Sequence, residues 1–227
     1  MTTVVIGVVG KIASGKSTVS KMLKELLSKD GKTVTYINTD EIYKSEVMSN
    51  VHYKKSISEY FGIKDLQDKS EVIRRISKMN IKEYSQLLAL INLYISPSLT
   101  SALLRNPNYI IVESATLLDS PLALQCDHIL ELDIPEKIRK EYVFKRDGNI
   151  RSAEDTLNLM KLQDKFLKGS YRIRVKNKIF KYSPSVNSQE YSLTVMFTHI
   201  SRYCAYISTN NNVNKDGSYE NIYCISR

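Results

Sequence analysis

The chain has 227 residues, 42% of them hydrophobic and 25% charged, which is ordinary for a globular protein and long enough for one α/β domain with insertions. Its net charge of +9 favours anionic partners, but the basic residues are scattered, so charge alone does not separate a nucleotide from nucleic acid. Three cysteines without C-x-x-C spacing argue against a zinc site or a disulfide framework and predict reduced thiols: Cys126, Cys204 and Cys224.

The N-terminal residues predict a cytoplasmic protein. The chain enters an apolar strand pattern at once, without the basic-then-apolar pattern of a signal segment. No apolar run approaches the length expected of a bilayer span, so we expect no membrane association.

The first predicted elements are a buried strand over residues 4–9, a loop over residues 10–17 and a helix. The loop, GKIASGKS, has the pattern G-x-x-x-x-G-K-[ST], whose glycines let successive backbone N–H groups point at phosphate oxygens. Lys16 would reach the β- and γ-phosphates, and the Ser17 hydroxyl would hold Mg²⁺. The predicted nucleotide-binding residues here are Gly10, Lys11, Ile12, Ala13, Ser14, Gly15, Lys16, Ser17 and Thr18.

The next predicted elements are a second strand at residues 33–37 and a helix that Thr39 or Asp40 could cap, which together begin a βαβ pattern. Asp40 would stand at the end of a strand facing the phosphate loop. It could therefore accept a proton from an acceptor hydroxyl, or serve only as the helix cap.

Helical spacing of apolar residues fills residues 56–104, with Ser96-Pro97 expected to start or kink a helix. A short buried strand then spans residues 109–112 and ends in Glu113. This carboxylate could hold a Mg²⁺-bound water, or it could be a solvated side chain leaving the strand.

The C-terminal half is predicted to contain a strand at residues 128–132, a helix opened by Pro135 and a helix capped by Ser152. Alternating patterns within residues 169–202 predict a β hairpin or meander. Residues 205–207 are predicted as the last strand, and residues 218–225 as a short closing helix.

Several segments resemble the dephospho-CoA kinases, a branch of the P-loop nucleotide kinases. Residues 37–42 (INTDEI) stand where that family has a strand ending in Asp-Ala-Asp before a helix, and Asp40 matches the second aspartate, the family's general base. Residues 126–136, continuing to Lys145-Arg146-Asp147-Gly148, resemble the family's strand, helix and lid entry. Arg-Asp-Gly is a recurring signature of that lid, which implies that Arg146 is the lid arginine.

The resemblance extends toward the C-terminus. Gln163 takes the place of the glutamine on the family's lid helix. Residues 205–207 and Asn210 are similar to its last strand and the asparagine after it, which implies that Asn210 contacts the nucleotide.

Departures from the family pattern lie mainly on the substrate side. Asn38 replaces the first aspartate, Lys44 a helix arginine, Ser96-Pro97 a His-Pro pair and Tyr142 a lid arginine. The motif Pro-Leu-Leu-Phe-Glu survives only as residues 115–119, and residues 168–202 form an insertion without a counterpart. ATP binding therefore follows from the sequence more directly than the identity of the acceptor.

The resemblance implies an α/β fold with a P-loop kinase-like parallel sheet flanked by helices, a helical substrate insert and a lid. The predicted division is a nucleotide-binding core at 1–50, 106–135 and 203–227, an insert at 51–105, a lid at 136–168 and an insertion at 169–202.

The implied reaction is phosphoryl transfer from ATP, with Mg²⁺, to the ribose 3′-hydroxyl of dephospho-CoA. Lys16, Asp40 and Arg146 are the predicted catalytic residues, and Ser17 and Glu113 the predicted metal residues. One alternative is a nucleoside or deoxynucleoside monophosphate kinase, for example a viral one. The other is a P-loop protein that binds nucleic acid through the basic and aromatic residues of 171–181, although an exposed hairpin explains that segment better.

Overall fold

A parallel sheet of five strands forms the centre of the protein and confirms the predicted α/β class. The computed structural model describes residues 3–147, 153–182 and 193–210. Its strands are β1 (Val4–Gly10), β2 (Val34–Asn38), β3 (Tyr109–Glu113), β4 (His128–Leu132) and β5 (Ile179–Tyr182). Their order is β2-β3-β1-β4-β5, and every neighbouring pair is parallel. The carboxyl ends of the strands therefore meet at one edge, where open α/β sheets bind their ligands.

Strand β1 shows why the sequence reads as an unbroken apolar run. Val5 and Val9 pack into the apolar cluster on one face of the sheet, and Ile6 and Val8 pack into the cluster on the other face. Successive side chains of a strand alternate between faces, so a strand covered on both sides must be apolar at every position. Each such side chain contributes roughly 1.5–3 kcal/mol by leaving water.

Helices cover both faces of the sheet. Helix α1 (Lys16–Leu27) and helix α8 (Leu193–Asn210) share the apolar cluster of Ile6 and Val8, through residues that include Leu23 and Ile207. The other described helices are α2 (Thr39–Ile42, continued by a π-helical turn at Tyr43–Val47), α3 (Val51–Phe61), α4 (Lys69–Lys78), α5 (Ile81–Leu104), α6 (Glu136–Asp147) and α7 (Ala153–Phe166).

Helices α3, α4 and α5 confirm the helical pattern predicted for residues 56–104. A side-chain oxygen caps the start of each helix, in α5 through a reciprocal capping box between Asn80 and Glu83. Helix α5 continues through Pro97, so proline does not start a helix there. The roles of these helices as a substrate insert, and of α6 and α7 as a lid, stay predictions.

Helix α5 contradicts the expectation that no apolar run approaches the length of a membrane span. It has 24 residues and a window of mean hydropathy 1.6, and it is the one helix of the described part long and apolar enough to cross a bilayer. Only 28% of that window is buried. However, Leu87, Ile95 and Leu99 belong to the larger apolar cluster, as residues of a core helix do.

The strands predicted near the C-terminus are wrong. Residues 193–197 and 205–207 lie in helix α8, whose residues Ile200, Tyr203, Cys204 and Ile207 are buried at helical spacing. The hairpin predicted within residues 169–202 does not form in its described part, where Arg172–Lys178 is a 3₁₀ helix and β5 pairs in parallel with β4. The last described strand is therefore β5. The predicted cap Ser152 and the predicted closing helix at 218–225 lie outside the described residues.

Candidate active site

The motif of residues 10–17 joins β1 to α1 at the carboxyl edge of the sheet, and residues 11–15 form the tight loop between them. Gly15 has a φ of 84°, a left-handed conformation that glycine adopts without strain, and Ala13 shares this region with a φ of 59°. A side chain at Gly10 would place its Cβ 2.8 Å from the carbonyl oxygen of Leu132, so only glycine fits there. The two glycines of the motif are thus required by the backbone itself.

The loop residues are only partly accessible to solvent. Ser14 is fully buried, whereas Lys11, Ile12, Gly15 and Lys16 are half-buried. The Lys16 ammonium donates to the carbonyl oxygen of Lys11 at 3.1 Å. Lys16 therefore folds back along the loop it belongs to, as a P-loop lysine must if it is to reach phosphates bound there.

Glu113, at the end of β3, is brought against the loop. Its side chain is buried, and its Oε1 accepts a hydrogen bond from the Ser17 hydroxyl at 2.6 Å. Its Oε2 accepts from the Tyr36 hydroxyl. Burial, together with this bond to a carboxylate, raises the pKa of Tyr36, so the phenol stays protonated as the donor. Glu113 is therefore not a solvated residue leaving a strand. Each of its two carboxylate oxygens is held by a hydrogen bond.

The Ser17 and Glu113 oxygens suit Mg²⁺, a hard cation that takes oxygen ligands. The described residues contain no group of three or more His, Cys, Asp or Glu side chains that could hold a metal by themselves. Mg²⁺ commonly binds through one or two protein groups together with phosphate oxygens and water. The residues present fit a metal that arrives with a nucleotide, which is the kind of site the loop motif requires.

Asp40 is exposed in the first turn of α2, two residues beyond the end of β2. The cap of this helix is Asn38, whose side-chain oxygen accepts from the amides of Asp40 at 3.0 Å and Glu41 at 3.3 Å. The sequence had predicted Thr39 or Asp40 as the cap. Because Asn38 caps the helix, the carboxylate of Asp40 is not needed for capping. Strand register places Asn38 directly beside Glu113, so Asp40 lies at the same edge of the sheet.

Helix α7 contacts the phosphate loop through two neighbouring residues. Gln163 Oε1 accepts a hydrogen bond from the Ile12 amide at 2.6 Å, and Asp164 forms an ion pair with Lys11. Asp164 also lies 3.9 Å from the guanidinium of Arg139 on α6. Gln163 was identified by resemblance, but neither its partner nor Asp164 was.

For two predicted site residues, the structure describes the backbone but not the side chain. Arg146 lies at the C-terminal end of α6, and its side chain is outside the part that the structure describes. Asn210 is the last residue of α8, so it does not follow a strand as the resemblance implied, and its side chain is likewise not described. Thr18 is exposed in the first turn of α1.

Other reactive side chains belong to the core. Cys126 and Cys204 are free and buried, and burial raises the pKa of each thiol to about 12. They are therefore protonated and unreactive; Cys224 lies outside the described residues. The ring of His128 stands edge-on to those of Tyr203 and Tyr206, as expected of a structural histidine.

Sequence reasoning missed three residues that this arrangement brings to the site: Tyr36, Arg139 and Asp164. Tyr36 could have been found, because it lies two residues before Asn38 on β2 and therefore shares its face of the sheet. Arg139 and Asp164 give no local signal, since their positions depend on how α6 and α7 pack.

Sequence comparisons with known proteins agree on one family. A sequence model of the family described as dephospho-CoA kinase matches residues 4–177. A dephospho-CoA kinase from Idiomarina loihiensis is 26% identical over 166 residues, covering 71% of this chain and 78% of that protein. One from Bacillus cereus is 31% identical over 175 residues, covering 72% of this chain and 84% of that protein.

Among solved structures, TT1252 from Thermus thermophilus has a TM-score of 0.60 at 16% identity, covering 94% of this chain and all of that one. That likeness concerns the fold. The family model covers most of the chain. The chain therefore belongs to the dephospho-CoA kinase family.

Proposed function

We propose that this protein transfers the γ-phosphoryl group of ATP to the ribose 3′-hydroxyl of dephospho-CoA, giving CoA and ADP. The observation that carries the proposal is the contact between Ser17 and Glu113 at the mouth of the phosphate loop. It joins the residue that the motif assigns to Mg²⁺ with a buried carboxylate from a neighbouring strand. Family membership supplies the acceptor.

On the donor side, the chain's own groups bind and orient the triphosphate. The amides of residues 10–17 would surround the phosphates, with the positive end of α1 behind them, and Lys16 would turn from the Lys11 carbonyl to a phosphate oxygen. Ser17, with Glu113 behind it, would hold Mg²⁺, which when bound neutralises charge on the β- and γ-phosphates. Most of the barrier is lowered by such positioning and charge neutralisation.

On the acceptor side, Asp40 would take the proton of the attacking hydroxyl. The 3′-oxygen forms a new bond to the γ-phosphorus while the bond from that phosphorus to the bridging oxygen of ADP breaks. The proton moves to the Asp40 carboxylate, which is exposed and released from capping by Asn38. Arg146, near the end of α6, would approach the moving phosphoryl group as the lid arginine.

We expect the reaction to take place in the cytoplasm. The buried, protonated thiols of Cys126 and Cys204 agree with a reducing compartment.

A direct test offers purified protein and Mg-ATP a panel of acceptors: dephospho-CoA, nucleoside monophosphates and deoxynucleoside monophosphates. ADP release is measured for each acceptor at equal concentration. We expect turnover with dephospho-CoA and none above the acceptor-free rate with the monophosphates. Turnover with a monophosphate alone would replace this proposal with the monophosphate kinase alternative. Turnover with no acceptor, combined with salt-sensitive binding to RNA or DNA, would favour the nucleic-acid alternative.

A further inference from the structure

One carboxylate joins three elements at the edge of the phosphate loop. Asp164, on α7, pairs with the ammonium of Lys11 in the loop and lies 3.9 Å from Arg139 Nη2 on α6. The residue before it, Gln163, accepts a hydrogen bond from the amide of Ile12. Helix α7 is thus attached to two consecutive residues of the loop and, through the same carboxylate, to the neighbouring helix.

Arg139 is the buried member of this group. Its side chain is 4% exposed, and its Nε donates to the carbonyl oxygen of Ile134 at 3.1 Å. Its Nη1 has no hydrogen-bond partner among the described residues. Asp164 is the one carboxylate that those residues bring within ion-pair distance of it. A buried cation requires a compensating charge, so Asp164 cannot leave this position without cost.

Lys11 transmits the position of Asp164 to the phosphate-binding groups. Its side chain is held by Asp164, and its carbonyl oxygen accepts from Lys16 and from the Ser14 amide. On the other side, Arg139 lies on the helix that carries Arg146 near its end. A continuous set of contacts therefore runs from Lys16, through Lys11 and Asp164, to α6, the helix that carries Arg146.

We propose that Asp164 is a positioning residue, which holds the phosphate loop and α6 in one fixed relation so that Lys16 and Arg146 meet the same phosphoryl group. This inference rests on the proposed phosphoryl transfer. The Lys11–Asp164 pair is 38–40% exposed, so as an ion pair it adds little to the stability of the fold. Its importance lies in position: Asp164 also faces the buried guanidinium of Arg139, and the neighbouring Gln163 bonds to the loop.

The test compares Asp164→Asn, which keeps the shape and removes the charge, with Asp164→Glu, which keeps the charge. Glu59→Gln is the matched control, because it breaks an exposed ion pair with Lys55 on helix α3, which shares no residue with the contacts of Asp164. Turnover, the KM for ATP and the melting temperature are measured for each. In assays run below the melting temperature of each variant, we expect kcat of Asp164→Asn to fall about 10- to 100-fold. Its melting temperature should also drop, because Arg139 loses its compensating charge, and Asp164→Glu should recover part of both losses.

Hydrogen exchange supplies a readout independent of the acceptor. In the protein without nucleotide, we expect Asp164→Asn to speed exchange in residues 10–17 and in α7, and Glu59→Gln to change neither. If the wild-type protein does not act on dephospho-CoA, the proposed function fails, but exchange and ADP binding by calorimetry still test the positioning role.

A double-mutant cycle with Lys11→Met completes the test. If Lys11 and Asp164 act together, the double variant should lose no more activity than the worse single variant. If Asp164→Asn does not fold, Lys11→Met alone should still lower kcat and speed exchange in α7. The proposal is overturned if kcat stays within about twofold of wild type, or if exchange in the loop is unchanged.

Discussion

The donor and acceptor halves of the proposed site are built differently. On the donor side, three side chains from two elements, β3 and α7, contact the phosphate loop: Glu113 accepts from Ser17, Gln163 accepts from the Ile12 amide, and Asp164 pairs with Lys11. On the acceptor side, Asp40 stands exposed at the start of a four-residue helix. Beyond it, the packing is aromatic, with the rings of Tyr43 and Tyr94 edge-on to that of Tyr53.

The difference indicates how each half acquires its geometry. Groups that must stabilise charge on a moving phosphoryl gain most from being held in place before the ligand arrives. An acceptor site can instead be completed by the substrate itself. The departures from the family pattern at Asn38, Lys44 and Ser96-Pro97 also fall on this side. We therefore expect substitutions on the donor side to affect kcat most strongly.

The largest expected effect is that of Arg146→Ala. Removing a cation that acts on the transition state should lower kcat about 10³-fold, while the affinity for ADP changes much less. Steady-state kinetics and calorimetry measure the two quantities. The matched control is Lys140→Ala on the same helix, where the lysine pairs with Glu136. Equal losses of kcat and ADP affinity would show that Arg146 only binds nucleotide.

Asp40→Asn tests the acceptor side. Loss of a general base should lower kcat about 10²-fold and leave the KM for ATP nearly unchanged. The neighbouring Glu41→Gln is the control, since Glu41 is also exposed in α2. Unchanged turnover in Asp40→Asn would remove the proposed base and leave the acceptor half with a binding role alone.

Tyr36→Phe examines how firmly the donor side holds its carboxylate. Without the phenol, Glu113 keeps its bond to Ser17 and loses the one at Oε2. We expect the Mg²⁺ concentration needed for half-maximal ADP binding to rise about tenfold, measured by calorimetry. Tyr60→Phe, at an exposed tyrosine of α3, should leave it unchanged. An unaltered Mg²⁺ requirement in Tyr36→Phe would mean that Ser17 and the sheet suffice to orient Glu113.

The smallest expected effect is on stability at acid pH, and it involves His128 at the start of β4. Burial lowers the pKa of His128 below its ordinary value of 6.5, so the unfolded chain binds this proton more readily than the folded one. Stability should therefore fall as the pH drops below about 6.5 toward the folded pKa. His128→Phe should reduce this acid loss by up to about 3 °C in melting temperature, and His52→Phe, at an exposed histidine, should not. Parallel pH profiles for both variants would contradict the assignment.

The sequence predicted the sheet better than the C-terminal helix. Strands β1 to β4 are apolar runs bounded by turns, and the helix after the phosphate loop has clear apolar spacing. Helix α8 is rich in Val, Phe, Thr, Tyr and Ile, whose intrinsic preference is for strands. Packing on the sheet overrode that preference, and the helical spacing of its buried residues was the signal that could have identified it.

The site could be predicted only where a motif carries it. The phosphate loop follows from eight consecutive residues, and Glu113 from its place at the end of a strand. The contact between Ile12 and Gln163 joins residues separated by 151 positions, and the meeting of Lys11, Arg139 and Asp164 depends on helix packing. Such contacts belong to the assembled fold, which local patterns do not encode.

The parallel order of the strands has a consequence for folding. Neighbours in this sheet are distant in sequence, as in the register between Val8 and Glu113 or between Asn38 and Glu113. Such pairing requires large chain closures before it yields any stabilisation, which makes folding slow. Phosphate affinity should consequently emerge only at the end of refolding, and a fragment ending before β3 should lack it.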